Sequence, residues 1–239
     1  KVLVRANRIH DIVNEERQSL AGTFSLGILP TIAPYLLPRF FTRLQREHPE
    51  ADIRVMEMKT ADIKRALNRG ELDAAILVSL DDMDHYVQTP LFYEQFLAYV
   101  SRGDALFSHK AIKTSDLNNE FLWLLDEGHC FRDQLVKFCQ LKSADSSKKT
   151  YSLGSIETFM RMVEGGQGVT FIPELALDQL SQAQHELVRP FALPIPVREV
   201  VLLTTRAFVR HSVLNLIADA VRSSVPQRML QFNNTEQRV

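Results

Sequence analysis

Apolar positions along this chain alternate between helical and strand spacing in a regular order. Val2, Ala6, Ile9 and Val13 form one stripe with charges between them, which predicts an exposed helix over residues 1–19. After the break at Ala21-Gly22 the spacing predicts a strand at 23–29, a helix at 34–47, a strand at 52–58, a helix at 61–69 and a short apolar strand at 74–77. A second run follows. It has strands at 96–101, 120–125, 150–153 and 169–172, and helices at 130–142 and 155–164. The proline-rich stretch 190–196 reads as a hinge, followed by a strand at 199–205, a helix at 213–223 and a polar, frayed tail over 226–239. Short apolar strands alternating with helices predict an α/β fold with parallel sheet, in two Rossmann-like lobes. Ligands of such sheets sit beyond the carboxyl ends of the strands, and the cleft between two halves is the expected site.

Composition narrows the function classes. The 239 residues are 45% apolar and 24% charged, and 28 Lys+Arg face 29 Asp+Glu, so the net charge is −1. A balanced surface has no basic field with which to condense onto phosphates, which argues against duplex DNA as a ligand of this chain alone. The uncharged stretch 21–38 is interrupted by Pro30, Pro34 and Pro38, so a strand, turn and helix start fit it better than a membrane span. No basic and then apolar leader is present, and a chain opening at Lys1 reads as the cut end of something longer. Two cysteines make no disulfide scaffold, and no Cys or His pair has zinc-site spacing, so neither a metal nor another cofactor is expected.

Three hydroxyls stand at strand-to-helix junctions: Thr31, Thr60 and Ser155. Each fits a helix cap, the reading that position alone favours, and the alternative is a free hydroxyl facing a ligand in the cleft. The densest chemistry lies in Gly128-His129-Cys130-Phe131-Arg132-Asp133-Gln134, with Leu135, Phe138 and Cys139 beyond. Gly128 permits a tight turn, and Phe131, Leu135 and Phe138 recur at helical spacing, so a helix begins near Cys130. A sulfur there meets unpaired N–H groups and the positive end of the helix dipole, with His129 and Arg132 beside it, which predicts a lowered thiol pKa and a reactive sulfur. Asp133 is placed to cap the backbone, to orient Arg132 or to handle a proton. Cys139 lies nine residues on, about 13.5 Å of helical rise and half a turn of rotation away. The two sulfurs cannot bond while the helix is intact, so a bond between them requires unwinding. The opposing reading, that Cys139 is an inert core thiol and Cys130 incidental, stands beside this one on spacing alone.

These pieces together resemble a known family. Gly27-Ile28-Leu29-Pro30-Thr31 with Pro34-Tyr35-Leu36-Leu37-Pro38, the lead-in from Gly70 to Leu77, and Ser155-Ile156-Glu157-Thr158 running to Gly168-Val169-Thr170 and Pro173 resemble the effector domains of LysR-type transcriptional regulators. The segment Gly128-His129-Cys130, Arg132-Asp133-Gln134 and Phe138-Cys139 is more specific, and resembles their peroxide-sensing branch. The resemblance spans about 200 residues in the family's order and implies a two-lobed fold of the type II periplasmic-binding-protein kind. It implies subdomain I over 21–95 with 199–225, subdomain II over 96–198, the end of a linker helix over 1–20, and a flexible tail over 226–239.

It also implies roles. Cys130 matches the peroxidatic cysteine, oxidised by hydrogen peroxide to a sulfenic acid, and Cys139 the resolving cysteine that condenses with it. Thr31, Thr60, Gly128 and His129 match the peroxide pocket, and His129, Arg132 and Asp133 the groups that polarise peroxide and move its protons. The implied partners are a second copy of the chain in a homodimer or homotetramer, promoter DNA and RNA polymerase through the full-length cytoplasmic protein, and a glutaredoxin- or thioredoxin-type reductant. No helix-turn-helix segment is found within these residues, so DNA contacts belong to the parent protein. The reading is a sensor, not an enzyme. Its rivals are a solute-binding domain gripping a small organic anion through Thr31 and Ser155, and a thiol peroxidase turning over on the same cysteines.

Overall fold

The computed structural model describes Glu15 and residues 20–126, 129–141 and 155–239. The helix expected over 1–19 (apart from Glu15), the strand expected at 150–153 and Gly128 lie outside the described residues. The chain divides into two units, Lys1–Phe92 with Glu199–Gln231, and Tyr93–Arg198 with Phe232–Val239.

In the first unit, β1 (Gly22–Ile28) leads through a turn into α1 (Ala33–Glu47). β2 (Ala51–Glu57) follows and leads to α2 (Thr60–Arg69), and β3 (Ala74–Val78) completes the parallel set. β1 lies between β2 and β3, parallel to both, with Ile28 opposite Glu57 on one side and Ile76 on the other. β3 reads Ala-Ala-Ile-Leu-Val and is buried throughout, as a strand covered on both faces must be. α1 buries Ala33, Leu36, Phe40 and Leu44 at helical spacing and leaves Arg39 and Arg43 outside. α2 ends at Gly70, whose φ of 71° closes the helix in the left-handed conformation that a residue with a Cβ resists.

The second unit is built differently. Its part of β4 (Tyr86–Val100) is flanked by β5 (Val169–Pro173) and β6 (Val188–Pro190), both antiparallel. The region expected as a strand at 120–125 contributes a parallel bridge from Leu122 to Val169. Gly168 turns the chain there at φ 76°, where a Cβ would stand 2.5 Å from the Phe121 carbonyl oxygen. α3 (Cys130–Cys139) and α4 (Ile156–Glu164) cover this unit, α4 burying Ile156, Phe159, Met160 and Val163. A short α5 (Gln182–His185) precedes β6.

β7 (Ile195–Thr205) runs from the second unit into the first, where Ala75 to Val78 of β3 pair antiparallel with Leu203 to Val200. The all-parallel expectation therefore holds for β1 to β3 and fails for β4 to β7. β4 and β7 each pass from one unit into the other, and a strand entering a sheet in this way is not bound to the βα crossover that enforces parallel pairing. α6 (His211–Ser224) then packs on α1, and the Glu15 carboxylate accepts hydrogen bonds from the Ser212 N–H at 3.1 and 3.2 Å, satisfying an end donor of α6. The tail expected to fray is ordered. A 3-10 turn at Gln227–Leu230 leads to β8 (Glu236–Arg238), which pairs parallel with Ile195 to Val197 of β7.

The polar core of the second unit is an ion pair withdrawn from water. Glu94 and Arg198 are each 1% exposed, with Arg198 Nε and Nη2 donating to Glu94 Oε2 at 2.8 and 2.7 Å. The Leu175 N–H donates to the other carboxylate oxygen at 3.0 Å. Removing one partner leaves a buried charge unanswered. Glu94→Leu is expected to cost about 3–5 kcal/mol, and the double variant Glu94→Leu with Arg198→Met to recover most of it. Urea unfolding followed by the single tryptophan, Trp123, reads this unit directly; equal losses in the single and double variants would contradict the account.

Candidate functional site

α3 begins where the sequence pattern places it and ends three residues sooner than expected. Its first residue is Cys130, 7% exposed, and its last is Cys139, 3% exposed; both are free thiols. His129 is the N-cap in extended conformation, and its carbonyl accepts the N–H groups of Arg132 at 2.9 Å and Asp133 at 3.2 Å. The His129 side chain makes no capping hydrogen bond. The first turn therefore keeps its positive pole, with the Cys130 sulfur on it. The Arg132 guanidinium is buried and stands 3.4 Å from the exposed Asp133 carboxylate. The other end closes on Gln140 at φ 50°, a left-handed stop without a glycine, which makes this terminus a weak one.

Cys139 is in a different state. Burial pushes its thiol up to about 12, so it is a neutral hydrophobe in the intact helix. The ten residues of α3 hold the two sulfurs at opposite ends and, by helical rotation, on opposing faces.

Beneath the first turn, the Phe131 ring packs 4.8 Å from Phe96, and the Arg198 guanidinium lies 5.1 Å over the Phe131 ring. Sequence reasoning missed Arg198. It stands beside Glu199 in the run Val197 to Leu203, and the expected elements left it between the hinge at 190–196 and the strand starting at Glu199. An adjacent pair of charges, Arg198 and Glu199, inside a largely apolar strand was the signal available. Gln134, one turn along α3, was read as part of the motif but given no role: it is 5% exposed and donates through Nε2 to the Val239 main-chain oxygen at 2.6 Å.

The hydroxyls separate into different roles. Ser155 is the N-cap of α4, its Oγ accepting the Thr158 N–H at 3.1 Å and meeting Thr158 Oγ1 at 2.9 Å. That oxygen is already used, which weakens the organic-anion reading built on it. Thr31 and Thr60 do not cap: the N-caps of α1 and α2 are Ile32 and Lys59. They follow β1 and β2, which are adjacent and parallel, by the same three residues, so both stand at one carboxyl edge of the first unit's sheet. Thr31 is 5% exposed, and Thr60 Oγ1 is buried without a hydrogen-bond partner among the described residues. A buried hydroxyl left in that condition is costly. Thr31 and Thr60 belong to the first unit, and His129, Cys130, Arg132, Asp133 and Cys139 to the second. Among the described residues no group of three or more His, Cys, Asp or Glu assembles a metal site, and no helix is long and apolar enough to cross a membrane.

Residues 17–226 match the LysR substrate binding domain, and the chain belongs to that family. Within it, the relatives are OxyR proteins. The crystal structure of OxyR from Porphyromonas gingivalis is 46% identical, with a TM-score of 0.84 over 91% of this chain and 99% of that one. The reduced form of the OxyR regulatory domain from Pseudomonas aeruginosa is 32% identical, with a TM-score of 0.75 over 85% of this chain and 98% of that one. A hydrogen peroxide-inducible genes activator of Dickeya chrysanthemi is 28% identical over 95% of this chain and 74% of its own length. The α/β fold and the family resemblance read from the motifs are thus both present.

Two outcomes check the site. Ser155→Ala is expected to cost about 1 kcal/mol as a lost cap, and Thr60→Val to cost nothing or to stabilise slightly, by chemical denaturation. In a folded Cys130→Ser variant at pH 8, iodoacetamide is expected to modify Cys139 about a thousandfold more slowly than in the denatured chain, because a thiol this far raised stays protonated there. Equal rates would contradict the burial account.

Proposed function

We propose that this chain is the regulatory domain of a peroxide-sensing LysR-type transcription regulator. The observation that carries the reading is α3 itself, with one cysteine on its electropositive first turn and the other buried at its last residue. Its relatives are named as OxyR and as hydrogen peroxide-inducible activators, which supports the same reading.

In the proposed chemistry the Cys130 thiolate attacks one oxygen of hydrogen peroxide. An S–O bond forms and the O–O bond breaks. The departing hydroxide takes a proton and leaves as water, so sulfur is oxidised by two electrons and peroxide reduced by two, giving a sulfenic acid. The helix N-terminus favours the attacking anion, Arg132 and His129 polarise the peroxide, and Asp133 or His129 delivers the proton. The family resemblance adds the hydroxyls of Thr31 and Thr60 to the groups proposed to meet peroxide. The Cys139 thiol then loses its proton, its sulfur displaces hydroxyl from the sulfenic sulfur, the disulfide forms and a second water leaves. A neutral, buried thiol at the far end of the helix cannot perform that step in place. Opening of α3 shortens the distance and hydrates the thiol at once, lowering its pKa toward the ordinary range.

The product is a conformation, and peroxide is consumed once per event, so the domain acts as a sensor and not as an enzyme. Refolding of the α3 segment rearranges a homodimer or homotetramer and so changes how the parent protein's DNA-binding domains engage a promoter and RNA polymerase in the cytoplasm. A dithiol of the glutaredoxin or thioredoxin class returns the two electrons, leaving as its own disulfide.

The test is mass spectrometry with thiol mapping after one equivalent of hydrogen peroxide. The expected product is a Cys130–Cys139 disulfide. Cys130→Ser abolishes fast oxidation, Cys139→Ser stops at a trappable sulfenic acid, and Thr31→Val or Thr60→Val slows the first step without unfolding the domain. Two unmodified thiols after minutes would overturn the reading.

A further inference from the structure

The last residues of the chain bear on the cysteine helix. After Gln231 the chain returns to the second unit, where Phe232 packs on Tyr93 at 5.5 Å and Arg238 lies 5.5 and 5.7 Å over the Tyr93 and Phe232 rings. The Glu236 carboxylate accepts the Asn233 N–H at 2.8 Å and fixes the turn into β8. β8 is held to β7 through the backbone, with Ile195 N–H donating to the Thr235 carbonyl at 2.9 Å and Val239 N–H to the Val197 carbonyl at 3.1 Å. That register delivers the Val239 carbonyl to Gln134 Nε2.

The next residue of β7 after Val197 is Arg198, whose guanidinium covers Phe131. Phe131 and Gln134 are three residues apart and so share a face of α3. The helix is therefore gripped at two points on one face, both from the edge where β7 and β8 pair. The Gln134 grip is one-sided: Oε1 is buried with no hydrogen-bond partner among the described residues.

We propose that β8 is a latch that holds α3 in its helical form and is released when α3 opens, with Gln134 as the positioning residue that joins the two. The role in switching rests on the disulfide reading above; the grip on the helix does not. Release of Gln134 frees the Val239 end of β8, so the event at Cys130 reaches residues 232–239 as a loss of strand pairing.

Two readouts separate the parts. In the reduced protein, Gln237→Pro, which breaks the β8 ladder with an exposed side chain, and Gln134→Ala are each expected to lower hydrogen-exchange protection of α3 about threefold to tenfold, the range for one lost buried hydrogen bond, while α1 and α2 are unchanged. With hydrogen peroxide in excess, both variants are expected to form the Cys130–Cys139 disulfide about threefold to tenfold faster, with sulfenic acid formation unchanged and the double variant no faster than either single one. In the unsubstituted protein, oxidation is expected to deprotect residues 235–239, a measurement that stands even where a variant fails to fold. Unchanged α3 protection in both variants, or additive effects, overturns the latch. A parent chain that forms no disulfide while α3 protection still responds overturns the redox reading and the switching role together, leaving the grip alone.

Discussion

The second unit is organised around a carboxylate and a guanidinium that have both left water. Such a pair holds only when its geometry is good and its remaining oxygens are answered. Here Glu94 answers Arg198 through one oxygen and the Leu175 N–H through the other. The cluster thereby ties β4, β7 and the 3-10 turn at Glu174–Gln179 into one body, and the outer face of the guanidinium lies over Phe131. Hydrophobic burial alone would pack this unit, but it would leave α3 free to slide on its apolar face. A cation against an aromatic ring has a preferred position, so it fixes where the first turn of α3, and with it Cys130, comes to rest.

α3 then acts as a ruler. A helix of ten residues separates its end residues by a distance no disulfide spans. Burial sets Cys139 as a neutral thiol, while the open first turn offers Cys130 an electropositive environment. The same structure makes the two sulfurs unlike and keeps them apart. Opening the helix removes both differences together, so on the proposed reading condensation and conformational change are one event. The closing residue fits such a role: Gln140 stands in the left-handed region at φ 50°, where a glycine would have made a firmer stop.

What the sequence discloses follows the hydrophobic pattern. β1, β3, α1 and α4 bury side chains at the spacing their geometry requires, and each is legible as such. The start of α3 was legible because Phe131 and Leu135 mark its buried face. β8 was not, since Glu236, Gln237 and Arg238 bury no apolar side chain and the strand is held by main-chain hydrogen bonds and by ring contacts of Phe232 and Arg238. Arg198 was hidden for the converse reason, a charge in an apolar strand being explained only by the partner that topology brings to it. The three hydroxyls looked equivalent as potential caps. They differ by a residue of phase, which puts Ser155 at the cap and Thr60 one position inside the helix with its oxygen unsatisfied.

On the proposed reading, a domain with a net charge of −1 reports to DNA through the parent protein, and its signal travels as shape. That requires an element with two arrangements close in free energy, since a two-electron event at one sulfur biases an equilibrium only if the alternative is within reach. A strand in the middle of a sheet would not serve, because its backbone is committed on both sides. On the proposed reading α3 is that element: its backbone hydrogen bonds are those of a helix, and its far end closes weakly. The element proposed to carry the reactive sulfur is thus also one that changes form, on that reading, without dismantling the sheet that supports it.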